Sequence, residues 1–178
     1  MGIKVCRILC HRYGCKADKI GIITFYAGQV ERFARALKEE HLPKIEVNTV
    51  DGYQGREKDI IILSFVRANH RHNIGFVREC RRLNVALTRA RHSLILLGNR
   101  RTLEGEEETS RLIADLEKRG LIFPVPALPV ILNGTNGSKR KRETEQKEKT
   151  EDSLVIATHA NGRREVRKRT RRCEDERG

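Results

Sequence analysis

Short, continuously apolar runs alternate along most of the chain with longer stretches whose apolar residues recur every three or four positions. The runs Ile20 to Thr24, Ile45 to Val50, Asp59 to Val66 and His92 to Gly98 predict strands. Ile60 to Leu63 and Leu94 to Leu97 are apolar at every position, as expected of parallel strands covered on both faces, which assigns both to the centre of a sheet. Between the runs lie helical patterns. Val30, Phe33, Ala34 and Leu37 share one face of Ala27 to Glu40, and Leu83, Ala86, Leu87 and Ala90 share one face of Arg78 to Arg91. Leu112, Ile113 and Leu116 do the same in Thr109 to Arg119, just ahead of Gly120 at a C′ cap position. Strands alternating with helices predict crossover units and an α/β fold, a three-layer domain around a parallel sheet.

That pattern stops near Asn133. Residues 1–132 are expected to form one domain, and residues 133–178, opening on Asn-Gly-Thr-Asn-Gly-Ser, are expected to form a disordered basic tail with too little apolar surface to offset the entropy of ordering. Within the tail Leu154 to Ala157 is open to reading as a short strand or docking segment, with a transient apolar patch as the favoured reading.

Charge narrows the function. The 37 Lys and Arg against 24 Asp and Glu leave a net +13, which points away from a neutral metabolic enzyme and toward a polyanion, nucleic acid first. Aromatic residues are only 4% of the chain and Trp is absent, so phosphate contacts rather than base stacking must supply most of the affinity. No apolar run approaches the roughly 18–20 residues of a membrane span, and no membrane partner is expected. The basic clusters Lys139 to Arg142 and Arg163 to Arg172 fit nuclear import signals or nucleic-acid arms, giving an expected nuclear location with a cytoplasmic pool. Five cysteines, an odd number, suit a reducing compartment. Cys6, Cys10, His11 and Cys15 crowd together but fall in a helical pattern without a second ligand pair, and are read as helix filling, with no metal site.

Ligands of open parallel sheets gather beyond the carboxyl ends of the strands. There the sequence places Thr24, Phe25, Tyr26 and Gln29, then Thr49 to Glu57, then Arg67 and Asn69. The predicted helix Arg78 to Arg91 adds cations. Seven-residue spacing puts Arg82 and Arg89 on one face, with Asn84, Thr88 and Arg91 on an adjacent one. Arginine with interspersed Thr and Asn suits planar contacts to phosphate better than a solvated Glu/Lys face does.

The segments Ile20 to Gln29, Thr49 to Asp59 and Arg81 to Arg91 resemble motifs IV, V and VI of superfamily-one helicases, most closely the branch with senataxin and the nonsense-mediated-decay helicase. The resemblance covers roughly residues 3–105. It implies a RecA-like second motor domain, of P-loop NTPase type, incomplete at its N-terminus because the family's usual first strand is not recognisable. It further implies that Arg89 is the arginine finger toward the γ-phosphate of ATP with Mg2+, and that Arg82 lies near the same cleft. By the same likeness Gly55 offers a backbone N–H to phosphate, Glu57 accepts from the ribose hydroxyls, and Gln54 lies at the interdomain cleft. Thr24, Thr49 and Asn84 would face single-stranded RNA or DNA, with Arg67 and Asn69 beside them. Phe25 departs from the pattern, standing where the family usually has proline.

The sequence contains no GxxxxGK[ST] loop and no apolar strand ending in Asp-Glu, so nothing in it would hold the β- and γ-phosphates or Mg2+. The expectation is the C-terminal half of a helicase motor, inactive alone and completed by a first RecA-like domain in cis or trans. The alternative is a non-enzymatic nucleic-acid-binding regulator or a truncated helicase remnant.

Overall fold

A computed structural model describes residues 1–65, 80–124 and 153–159. The elements are α1 (Gly2–His11), β1 (Ile20–Thr24), α2 (Ala27–Glu39), β2 (Glu46–Thr49), β3 (Lys58–Ser64), α3 (Cys80–Leu87), β4 (Ala90–Asn99), α4 (Arg100–Glu104), α5 (Glu107–Lys118), β5 (Ile122–Pro124) and β6 (Ser153–His159). They build one six-stranded sheet in the order β2-β1-β3-β4-β6-β5. β2, β1, β3 and β4 are mutually parallel, with the two continuously apolar runs at the centre.

Alternation along the strands divides the core. Ile61, Leu63 and Phe65 turn to the face covered by Leu83, Ala86 and Leu87 of α3 and by Ile113 and Leu116 of α5. Ile60 and Ile62 turn to the opposite face, covered by Val5, Cys6 and Leu9 of α1 and by Leu37 of α2. Both faces are therefore dry, which is why the central runs carry no polar position. α5 ends as its composition predicts: Gly120 takes φ 64° and donates to the Glu117 carbonyl, while Leu121 donates to that of Leu116, the paired bonds of a Schellman cap. Phe25 is buried at the end of β1 and stacks on Phe65, with ring centroids 5.5 Å apart. An aromatic clasp between β1 and the end of β3 stands where proline was the norm.

Two expectations are corrected. The helix expected to reach Arg91 ends at Leu87, because the Arg89 carbonyl accepts from the Lys58 N–H and Ala90 pairs with Lys58, drawing the chain into β4. Arg82 and Arg89 therefore do not share a helix face. The run Leu154 to Ala157, favoured as a transient patch, lies within β6, antiparallel to β4 from Ser93↔His159 to Asn99↔Ser153. An extended apolar run satisfies the hydrogen-bonding edge that β4 would otherwise leave open, and it makes the sheet mixed rather than wholly parallel.

Candidate functional site

The predicted polar residues divide between the two ends of the strands. At the carboxyl end of β1, Thr24 is fully buried and its hydroxyl donates to Gln29 Oε1 at 3.2 Å. Thr24 thus presents no surface of its own; it orients the half-buried Gln29 on the first turn of α2. Beside it, Thr49 ends β2 and the chain turns sharply. The Gly52 N–H donates to Thr49 Oγ1 at 3.2 Å, the Thr49 N–H donates to Asn48 Oδ1 at 2.9 Å, and Asn48 Nδ2 donates to the Gly52 carbonyl at 3.3 Å.

From this turn residues 50–57 cross one whole face of the sheet. Register makes the point: Thr49 and Ser64 both align with Thr24 at the carboxyl end, whereas Lys58 begins β3 at the amino end. Tyr53, buried at mid-sheet, pins the crossing. Gln54 at φ −59°, ψ 135° and Gly55 at φ 73°, closed by the Arg56 N–H on the Tyr53 carbonyl, form a type II turn, whose third position needs glycine. Gln54, Gly55, Arg56 and Glu57 are all exposed. They do not join Thr24 and Thr49, as a reading from strand ends expects; the short crossover carries them toward the opposite edge.

Arg89 reaches that same edge through its bond to Lys58. Its half-buried guanidinium folds over the end of α3, with Nε donating to the Val85 carbonyl at 3.0 Å and an Nη to Thr88 Oγ1 at 3.2 Å. Arg91 Nε approaches Glu57 Oε2 at 3.4 Å, so the predicted ribose acceptor faces a cation. Arg82 is elsewhere: its guanidinium grips Asp51 in a two-point pair, with Nε to Oδ1 at 3.1 Å and Nη2 to Oδ2 at 2.5 Å. Asn84 is half-buried in α3, and its carbonyl accepts from Thr88. Arg67 and Asn69 lie outside the described residues.

Asp51, Tyr53, Arg56 and Glu46 were not singled out by sequence. Glu46 is bonded by Arg56 and approached by Lys58 Nζ at 3.4 Å. Burial works against its ionisation, but these two cations outweigh it and hold the carboxyl below its usual range. The Asp51 pairing had one available signal, an acid directly after a strand and ahead of an arginine-rich segment. Among the described residues no group of three or more His, Cys, Asp or Glu is placed to hold a metal, and no helix is long and apolar enough to cross a membrane. Burial instead pushes the Cys6 thiol up to about 12.

A family model described as an AAA domain matches residues 2–101. The chain is 45% identical over 108 residues to helicase sen1 of Schizosaccharomyces pombe, covering 58% of this chain and 6% of that protein. It is 40% identical over 144 residues to the DNA replication ATP-dependent helicase/nuclease dna2 of the same yeast, covering 80% and 10%. With ATP-dependent helicase NAM7 of Saccharomyces cerevisiae it shares 44% over 117 residues, 62% of this chain and 12% of the relative. The chain thus spans about a tenth of the length of these relatives.

Proposed function

Because the chain belongs to the AAA-domain family of superfamily-one helicases, of the senataxin, NAM7 and DNA2 type, we propose that it is the C-terminal motor domain of an ATP-dependent helicase. Single-stranded RNA or DNA would lie along the carboxyl ends of β1 and β2. ATP, held mainly by a separate first RecA-like domain in cis or trans, would meet the opposite edge. The observation that carries this reading is the segregation of the polar residues by the 50–57 crossing: Gln29 and the Thr49–Gly52 turn at one end of the strands, Arg89 and Glu57 toward the other.

The donors suit their tasks. Thr24 commits its proton to Gln29 and turns the Gln29 amide into the available donor, while Thr49 accepts from Gly52 and keeps its hydroxyl proton for a phosphate or sugar oxygen. At the other edge Gly55 makes no N–H hydrogen bond among the described residues, and Arg89 needs only to leave two neutral acceptors to reach a phosphate. Mg2+ would accompany ATP on the first domain; among the described residues no set of acids is arranged for it. Arg82, committed to Asp51, acts as a brace between the crossing segment and α3 rather than as a second finger.

The test mixes the chain with ATP, single-stranded RNA and a separately expressed first motor domain. Hydrolysis is expected only when both halves are present, and Arg89→Ala should lower it by about 10³ to 10⁵ with nucleotide affinity held within a few-fold. Undiminished hydrolysis by Arg89→Ala refutes the finger. Salt-sensitive strand binding without restored hydrolysis would favour a non-enzymatic binder.

A further inference from the structure

The crossing segment rests on an unusual support. Glu46, Gly21 and Ile61 stand side by side on adjacent parallel strands and face the same side of the sheet. Gly21 leaves the middle place empty, and Tyr53 fills it: a Cβ added at Gly21 would lie 2.0 Å from the Tyr53 hydroxyl oxygen and 3.0 Å from Ile61 Cδ1. The hydroxyl is buried and has no hydrogen-bond partner among the described residues. An unmet buried hydroxyl is destabilising, because it has given up water without gaining a partner. The carboxylate in the neighbouring place, Glu46, is an acceptor, but it is committed to Arg56 and Lys58.

Those two cations are held unequally. Lys58 is 23% exposed and also donates to the Asp18 carbonyl at 2.8 Å. Arg56 is 58% exposed, sits in the turn next to Gly55 and precedes Glu57, and among the described residues Glu46 is its one side-chain partner. An arginine fork binds phosphate in the same bidentate manner as carboxylate, so a phosphate at this turn competes directly with Glu46 for it.

We propose that Arg56 is a phosphate-contacting residue and that its engagement is relayed inward: phosphate draws the guanidinium from Glu46, and the freed carboxylate oxygen accepts a hydrogen bond from the Tyr53 hydroxyl. Tyr53 is then a positioning residue for the whole 50–57 crossing, which ends on one side at the Thr49–Gly52 turn and on the other at Glu57. No proton changes owner; one hydrogen bond to Glu46 replaces another. The phosphate half rests on the reading that the Gly55–Glu57 edge meets a polyphosphate, while the relay half rests on the geometry alone.

The chain has no Trp and three Tyr, so Tyr13→Phe with Tyr26→Phe leaves Tyr53 as its one strong emitter. A phenol bonded to carboxylate emits more weakly and at longer wavelength than a free one. In this background Arg56→Ala should produce that red-shifted, quenched emission without ligand, and Glu46→Gln added to it should restore the original spectrum. Inorganic tripolyphosphate should produce the same change in the chain that keeps Arg56, and a chain also carrying Tyr53→Phe provides the blank. An unchanged Tyr53 spectrum in Arg56→Ala, with cooperative unfolding retained, overturns the relay and leaves the nucleotide edge standing; Arg56→Gln replaces it should unfolding lose cooperativity. A shift with Arg56→Ala but with neither tripolyphosphate nor a single-stranded oligothymidylate overturns Arg56 as a phosphate contact. A response to the oligothymidylate alone supports the contact, but assigns its phosphate to a nucleic-acid backbone and counts against the nucleotide edge.

Discussion

Arg82 and Asp51 are joined by two hydrogen bonds, of 3.1 and 2.5 Å, which tie the start of the crossing segment to the arginine-rich helix α3. Arg82 is 17% exposed and Asp51 59%, so the pair is covered on one side and wet on the other. Charge-assisted bonds of this kind contribute more than a surface pair, though solvent on Asp51 reduces the gain to about 1 kcal/mol. Arg82→Ala should lower the melting temperature by about 2–4 °C, and Arg82→Lys should recover little, since an ammonium has no planar fork. A double-mutant cycle with Asp51→Asn measures the coupling; additive losses would show that the brace contributes nothing.

The Tyr53–Gly21 contact has the opposite sign. The Tyr53 oxygen is buried without a partner, so Tyr53→Phe should raise thermal stability by up to about 1–3 kcal/mol. Gly21→Ala should be destabilising by a similar amount, because the new methyl would stand 2.0 Å from that oxygen and 2.9 Å from Tyr53 Cζ. Combined, the substitutions should cost less than their sum, as removal of the oxygen relieves the closer clash. Denaturant melts of the four proteins test this; strict additivity would place Tyr53 elsewhere.

Much of this fold was legible because its strands are buried on both sides. Ile60–Leu63 and Leu94–Leu97 have no polar alternation to misread, and β1, β3 and β4 fall within two residues of their expected ends. α3 was overextended because Ala90 continues the spacing of Leu83, Ala86 and Leu87 with no Gly or Pro to stop it; only the pairing of Lys58 with Arg89 and Ala90 ends the helix. The site was legible by residue type and not by placement. Nothing in Thr49 to Glu57 says that the chain crosses a sheet face in eight residues, 50–57, because the anchor, a vacancy at Gly21, lies some thirty positions earlier. The strand reading of Leu154–Ala157 ranked below a transient patch because the run has no local partner, and its stability comes from the edge of β4.

At the end of α2, His41 holds φ 57°, with its N–H on the Lys38 carbonyl and the Leu42 N–H on that of Leu37 at 2.8 Å. This is the glycine position of a Schellman cap occupied by a side chain that pays about 1 kcal/mol or more for left-handed backbone. His41→Gly should therefore stabilise the protein by up to about 1 kcal/mol, despite the greater freedom of glycine in the unfolded chain. Urea unfolding checks the sign, and a lower midpoint would mean that the exposed imidazole makes a compensating contact.

Glu46 predicts a pH dependence. Burial alone would raise its pKa, but the bonds from Arg56 and Lys58 prevail, so the folded-state value lies below the unfolded one. A depressed carboxyl contributes stability that is fully present above its unfolded value, about 4.3, and is lost as pH falls through the folded value. Between about pH 6 and pH 3 the urea midpoint of the unaltered chain should thus fall partly through protonation of Glu46. Glu46→Gln should be less stable at neutral pH, because Arg56 and Lys58 lose their shared acceptor and face each other as like charges. It should also lose stability less steeply on acidification, so that the two curves converge at the acid end. Parallel curves across that range would mean that Glu46 titrates alike in the folded and unfolded chain, and that its two cations do not hold it.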